Sequence, residues 1–136
     1  MLHFIKSFDF VNPQRIGALG LSMGGAVAGM LAGDCKEDTR AICLWVPAGN
    51  MKDIPLKGKL IQEIDDSYEK GFIDFNGFSL GVGFMKDVMT LDILEKSSSY
   101  DKQALFIHGN KDDVVPLSIS QTICENLWKS RQASCN

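Results

Sequence analysis

The chain has 136 residues, 45% of them hydrophobic and 23% charged, which suits one globular domain with a modest core. A net charge of -3 leaves no basic footprint for nucleic acid or an anionic membrane surface, and no apolar run approaches the eighteen or so residues of a membrane span. The four cysteines, Cys35, Cys43, Cys124 and Cys135, are irregularly spaced with no C-x-x-C pair, and beside only two histidines, His3 and His108, they offer no zinc set.

Leu2, Ile5 and Phe8 recur at helical spacing, which predicts a helix over residues 2–10, and Asn12-Pro13 stops it. A helix with no cap in front of it suggests that sequence upstream is missing. Met1 to Lys6 has no long apolar block ahead of a cleavage site, so the expected compartment is the cytoplasm.

The stretch Arg15 to Ala26 then reads as a short apolar strand, a sharp turn with Ser22 at its tip, and a helix that starts at once. Gly20, Ser22 and Gly24 fit G-x-S-x-G, the pattern in which serine is held in a strained turn above a parallel sheet. Gly20 and Gly24 are expected to let strand and helix come close, and the Met23 amide, at a helix N-terminus, faces the place where an oxyanion would form. A tight turn with a serine N-cap is the plainer reading of the bare pattern. The helix is expected to run from Met23 to Ala32 and to end on Gly33 as a left-handed cap.

Residues 40–46 form an almost unbroken apolar run, the mark of a strand buried on both faces, with Cys43 as a small buried hydrophobe and Pro47 as the stop. Strand, helix and strand make a βαβ unit. From residue 50 to 87 no period holds, and the aromatics Tyr68, Phe72, Phe75, Phe78 and Phe84 suggest a cap over a pocket. Residues 84–95 predict one helix, residues 97–101 a turn, residues 102–108 a third buried strand, and residues 117–129 a last helix with Ile119, Ile123 and Leu127 on one face. One domain, residues 1–136, is expected, with the cap as an insertion.

With both loops in view, the chain resembles the α/β-hydrolase family, and within it cinnamoyl or feruloyl esterases and acylglycerol-lipase-like members. The resemblance rests on Gly20-Leu-Ser-Met-Gly-Gly25, on Asn12-Pro-Gln-Arg-Ile-Gly17 before it, and on His108-Gly-Asn-Lys-Asp-Asp-Val-Val-Pro116. It implies a partial α/β-hydrolase fold, here a parallel sheet of about three strands flanked by helices with a cap insertion, and a serine hydrolase of carboxylic esters that uses neither cofactor nor metal. It also implies Ser22 as nucleophile, Asp112 rather than Asp113 as triad acid, and Met23 N–H as half of an oxyanion hole. His108 is a loop residue in that pattern, not the base. The expected partner is a small-molecule ester, with neither nucleic acid nor a membrane span.

The family's triad histidine falls after a further strand, and its first strands precede the part matched here, so the resemblance implies a fragment that is inactive alone. The two outer strands would then carry bare apolar edges open to self-association, and the polypeptide would be marginally stable. A non-catalytic relic or interaction module is the alternative outside catalysis; a peptidase, thioesterase or acyltransferase is the alternative within it.

Overall fold

The computed structural model describes residues 2–53, 66, 68–75 and 77–134, and divides into two compact units, residues 1–49 with 92–136 and residues 50–91. Residues 54–65 of the expected cap, and Cys135, lie outside the described residues.

The first unit is built on three parallel strands, β1 (Gly17–Leu21), β2 (Ala41–Trp45) and β5 (Gln103–Ile107), in the order β1-β2-β5. Leu19, Cys43 and Leu105 stand at one height and Leu21, Trp45 and Ile107 at the next, so both rows share a face. Ile42 and Leu44 point the other way, are 3% and 1% exposed, and lie under helix α2 (Met23–Asp34). The Ala28, Gly29 and Ala32 side of α2 is buried; a Cβ on Gly29 would sit 3.7 Å from Leu44, so small residues bring helix and sheet together. Strand burial therefore differs from the expectation. With α2 on one side only, β2 is buried on one face, Cys43 is half-buried, and Trp45 is 46% exposed; β5 is mostly exposed.

Helix boundaries differ from the expectation at both the first helix and α2. Helix α1 (Leu2–Lys6) ends before residue 10, where the Ser7 hydroxyl takes the Phe4 carbonyl at 2.7 Å. Lys6 Nζ reaches Asp38 Oδ1 at 2.6 Å and ties α1 to the turn after α2. Gly33 lies inside α2, which is capped by Cys35 instead. A Cβ at residue 33 would fall 1.8 Å from the Lys96 carbonyl oxygen, so the glycine serves the close crossing of α4 (Ile93–Ser97) over α2. Helix α5 (Leu117–Ser134) is longer than expected and buries Ile123 and Leu127, with Ile119 half-buried. Asn126 Nδ2 donates to the Leu94 carbonyl at 2.8 Å and fastens α5 to α4.

The second unit holds a hairpin, β3 (Phe72–Phe75) and β4 (Phe78–Gly81), paired antiparallel, followed by helix α3 (Val82–Thr90). Gly71 and Gly77 have φ of 80° and 86°, conformations open to glycine at little cost. The single helix expected over residues 84–95 is two. Leu91 and Asp92 are extended, and the Asp92 carboxylate accepts the Glu95 N–H at 3.0 Å, starting α4 afresh.

Candidate active site

Because all three strands of the first unit are parallel, the segments that leave β1, β2 and β5 emerge at one edge of the sheet. Ser22 follows β1 there, and the loop that holds Asp112 follows β5, with β2 between them: two strand spacings, about 10 Å, separate the outer strands.

Ser22 has φ 54° and ψ -117°, a conformation that costs a non-glycine residue on the order of 1–2 kcal/mol. Its backbone is gripped on both sides. Ser22 N–H donates to the Trp45 carbonyl at 2.9 Å, and the Ser22 carbonyl accepts from Ala26 N–H and Ala48 N–H, each at 3.1 Å. No side-chain capping bond is made by Ser22, so its hydroxyl does not serve as a helix N-cap. Met23 opens α2, where the first N–H groups have no acceptor within the helix and the dipole favours negative charge.

The glycines divide differently from the expectation. A Cβ on Gly20 would lie 1.9 Å from the Gly24 carbonyl oxygen, an impossible contact, whereas a Cβ on Gly24 meets nothing within 4 Å. The second close approach belongs to Gly25, whose Cβ would stand 3.0 Å from both the Gly20 oxygen and Pro47 Cα. Sequence reasoning also missed Val46. It has φ 48°, out of place for a β-branched residue ahead of a proline, and its N–H donates to the Ile107 carbonyl at 2.8 Å. Nothing in the residue pattern marks it; the strain comes from turning the chain off β2 between the two outer loops.

In the β5 loop, Asp112 Oδ1 accepts from Val114 N–H at 2.9 Å and Val115 N–H at 2.8 Å, which fixes the carboxylate plane. His108 is engaged at both ring nitrogens, with Nε2 2.9 Å from the Val115 carbonyl and Nδ1 2.6 Å from Ser120 Oγ. A carbonyl can only accept, so Nε2 carries the proton, and in the neutral ring Nδ1 accepts from the Ser120 hydroxyl. The ring thus holds the loop together. His3 is exposed on α1, and both ring nitrogens of His108 are taken by Ser120 and Val115. Asp113 is exposed beside the loop. Among the described residues no three His, Cys, Asp or Glu side chains are grouped to hold a metal ion, and no helix is long and apolar enough to cross a membrane.

The family described as BAAT / Acyl-CoA thioester hydrolase C terminal matches residues 1–136. No curated protein matches the chain. Among solved structures, Est1E from Butyrivibrio proteoclasticus with ferulic acid bound is similar at TM-score 0.75 and 22% identity, over 92% of this chain and 50% of that one. Est1E in a second structure gives TM-score 0.72 and 21% identity, over 92% and 51%. Acetyl xylan esterase 1 from Thermoanaerobacterium sp. JW/SL YS485 gives 0.60 and 18%, over 93% and 40%. At such identities the likeness is one of fold, that of the α/β hydrolases, and the chain spans about half the length of these proteins.

Proposed function

The chain belongs to the BAAT / acyl-CoA thioester hydrolase C-terminal family, and from that membership we propose that it carries the nucleophile and the acid of a serine-dependent hydrolase of carboxylic esters. The observation that carries the reading is the strained backbone of Ser22, φ 54°, held by hydrogen bonds on both sides at the carboxyl edge of the sheet. Strain of this kind persists where the surroundings over-determine it, and it presents a hydroxyl beside the open amides of a helix start.

In this reading Ser22 Oγ attacks the ester carbonyl, a histidine takes its proton, and the Met23 N–H stabilises the oxygen as it gains charge. The C–O bond to the alcohol then breaks, the leaving oxygen takes the proton back, and water releases the acyl group by the same steps. Asp112 orients the histidine and balances its positive charge. His108 is committed to Val115 and Ser120, so the base is supplied by a histidine outside these residues. The 136 residues alone are therefore expected to be inactive. The segment of about residues 50–87 is read as a cap-like insertion of the fold.

Family membership favours a second reading for the leaving group, a thiol from an acyl thioester in place of an alcohol. The test is a fluorophosphonate probe with imidazole in solution standing in for the missing base. Labelling on Ser22 that rises with imidazole and vanishes in Ser22→Ala is expected; a folded protein that takes no label would be an interaction module. Release of thiol from acyl-CoA against nitrophenol from aryl esters, with the base restored, separates the two leaving groups.

A further inference from the structure

We propose that Ile119 and Ser120, neighbours in the first turn of α5, are positioning residues that set the two halves of the site in register. Ile119 acts through the segment that holds Ser22, and Ser120 through the loop that holds Asp112. The proposal rests on the reading of Ser22 and Asp112 as nucleophile and acid.

One link runs toward the serine. Gly49 follows Ala48, whose N–H donates to the Ser22 carbonyl at 3.1 Å. A Cβ on Gly49 would lie 2.6 Å from Ile119 Cγ2 and 3.3 Å from Ile123 Cδ1, so bare backbone presses on α5. Cγ2 sits on a branched carbon that a helix holds in one rotamer, and it cannot swing aside. The spacing between α5 and the Ser22 turn is therefore set by backbone and one stiff side chain.

The other link runs toward the acid. Ser120 is 4% exposed, and its hydroxyl donates to His108 Nδ1 at 2.6 Å. His108 Nε2–H donates to the Val115 carbonyl at 2.9 Å, and Val115 N–H donates to Asp112 Oδ1 at 2.8 Å. By donating to Nδ1, the hydroxyl leaves the ring proton on Nε2, the one neutral form that can hold the Val115 carbonyl. Ser120 thus steadies the carboxylate through two residues without touching it. Consecutive helical residues point about 100° apart, so a single turn of α5 grips the β2 segment with one side chain and the acid loop with the next. A misplacement of about 1 Å between reacting groups can cost a hundredfold in rate, which is what such a double grip prevents.

Two measurements test it: hydrogen exchange at the Ala48 and Val115 amides, and fluorophosphonate labelling of Ser22 across an imidazole series. Gly49→Ala is expected to speed exchange at Ala48 and, across α5, at Val115. Adding Ile119→Ala, which removes Cγ2 and makes room for the new methyl, should restore both. Ser120→Ala should abolish the Nε2–H signature of His108 in nitrogen NMR. It should also raise the imidazole concentration for half-maximal labelling about tenfold, the worth of one hydrogen bond to a charged group, with the maximal rate kept. Ser120→Thr keeps the hydroxyl and should behave as the parent chain. Val115 exchange that ignores Gly49→Ala, or a Ser120→Ala chain with unchanged imidazole dependence, would overturn the proposal. Asp112→Asn tells that failure from failure of the hydrolase reading. If Asp112→Asn needs more imidazole while Ser120→Ala does not, the positioning role alone falls; if Asp112→Asn labels as the parent does, the reading of the acid falls and the positioning role with it.

Discussion

Ala48 donates its backbone N–H to the Ser22 carbonyl at 3.1 Å, so the segment that leaves β2 holds the turn that leaves β1. The Trp45 carbonyl accepts the Ser22 N–H from the same segment, and between these two anchors Val46 adopts its own positive φ of 48°. Two strained residues on neighbouring loops are thus stitched into one unit.

Stored strain should be measurable as stability. Ser22→Gly relieves the positive φ and Ser22→Ala does not, so the glycine variant is expected to be about 1 kcal/mol more stable than the alanine variant by urea unfolding. Val46→Gly should show the same sign. Equal midpoints for the two Ser22 variants would mean that the turn relaxes without cost.

The two glycines of the motif should respond in opposite ways. Gly20→Ala drives a Cβ into the Gly24 carbonyl and is expected to cost about 3 kcal/mol or more, since only backbone can give way. Gly24→Ala meets open space on a helix and should be neutral or stabilising by up to about 1 kcal/mol. Thermal unfolding of the pair decides it.

His108 is expected to matter for the loop and not for proton transfer. His108→Phe leaves the Val115 carbonyl and the buried Ser120 hydroxyl without their ring partner, a loss of about 2 kcal/mol. Nitrogen NMR should find the neutral ring protonated on Nε2, and the Nδ1–H form would contradict the bonding described.

Stability should change at both ends of the pH scale. Burial pushes the Tyr100 hydroxyl up from 10.0 to about 12, so the folded chain keeps that proton when the unfolded chain has lost it. This contribution is complete below pH 10 and disappears as pH rises to about 12; Tyr100→Phe should remove the alkaline step in a circular dichroism titration. At the acid end, the hydrogen bond from Lys6 holds the Asp38 carboxyl below its ordinary 3.8. Its contribution is present above that value and fades as pH falls through the lowered one, and Lys6→Met should flatten the change.

Much of this fold is written locally. The strands at residues 17–21, 41–45 and 103–107 announce themselves as apolar runs, and the Gly20-x-Ser22 turn and the Asp112 loop are short patterns whose neighbours in sequence are also their neighbours in space. What the runs do not carry is which faces are covered, because that depends on where helices pack; hence the error over Cys43 and Trp45. Asp92, three residues before Glu95, was a readable capping pattern, and Asn76-Gly77 a readable hairpin signal, both hidden by the aromatic scatter around them. Gly33 looked like a stop because a glycine near a helix end usually is one, and only the distant chain at Lys96 explains it. The strain at Val46 has no local cause at all.

The bare contact of Gly33 with the Lys96 carbonyl makes α2 a lever with a fixed fulcrum. No side chain lies between the two backbones there, so no rotamer can absorb a push, and a displacement is carried along the helix to the serine eleven residues away, about 16 Å, at the other tip. A change of a single methyl group at residue 33 is thus a remote handle on the aim of Ser22.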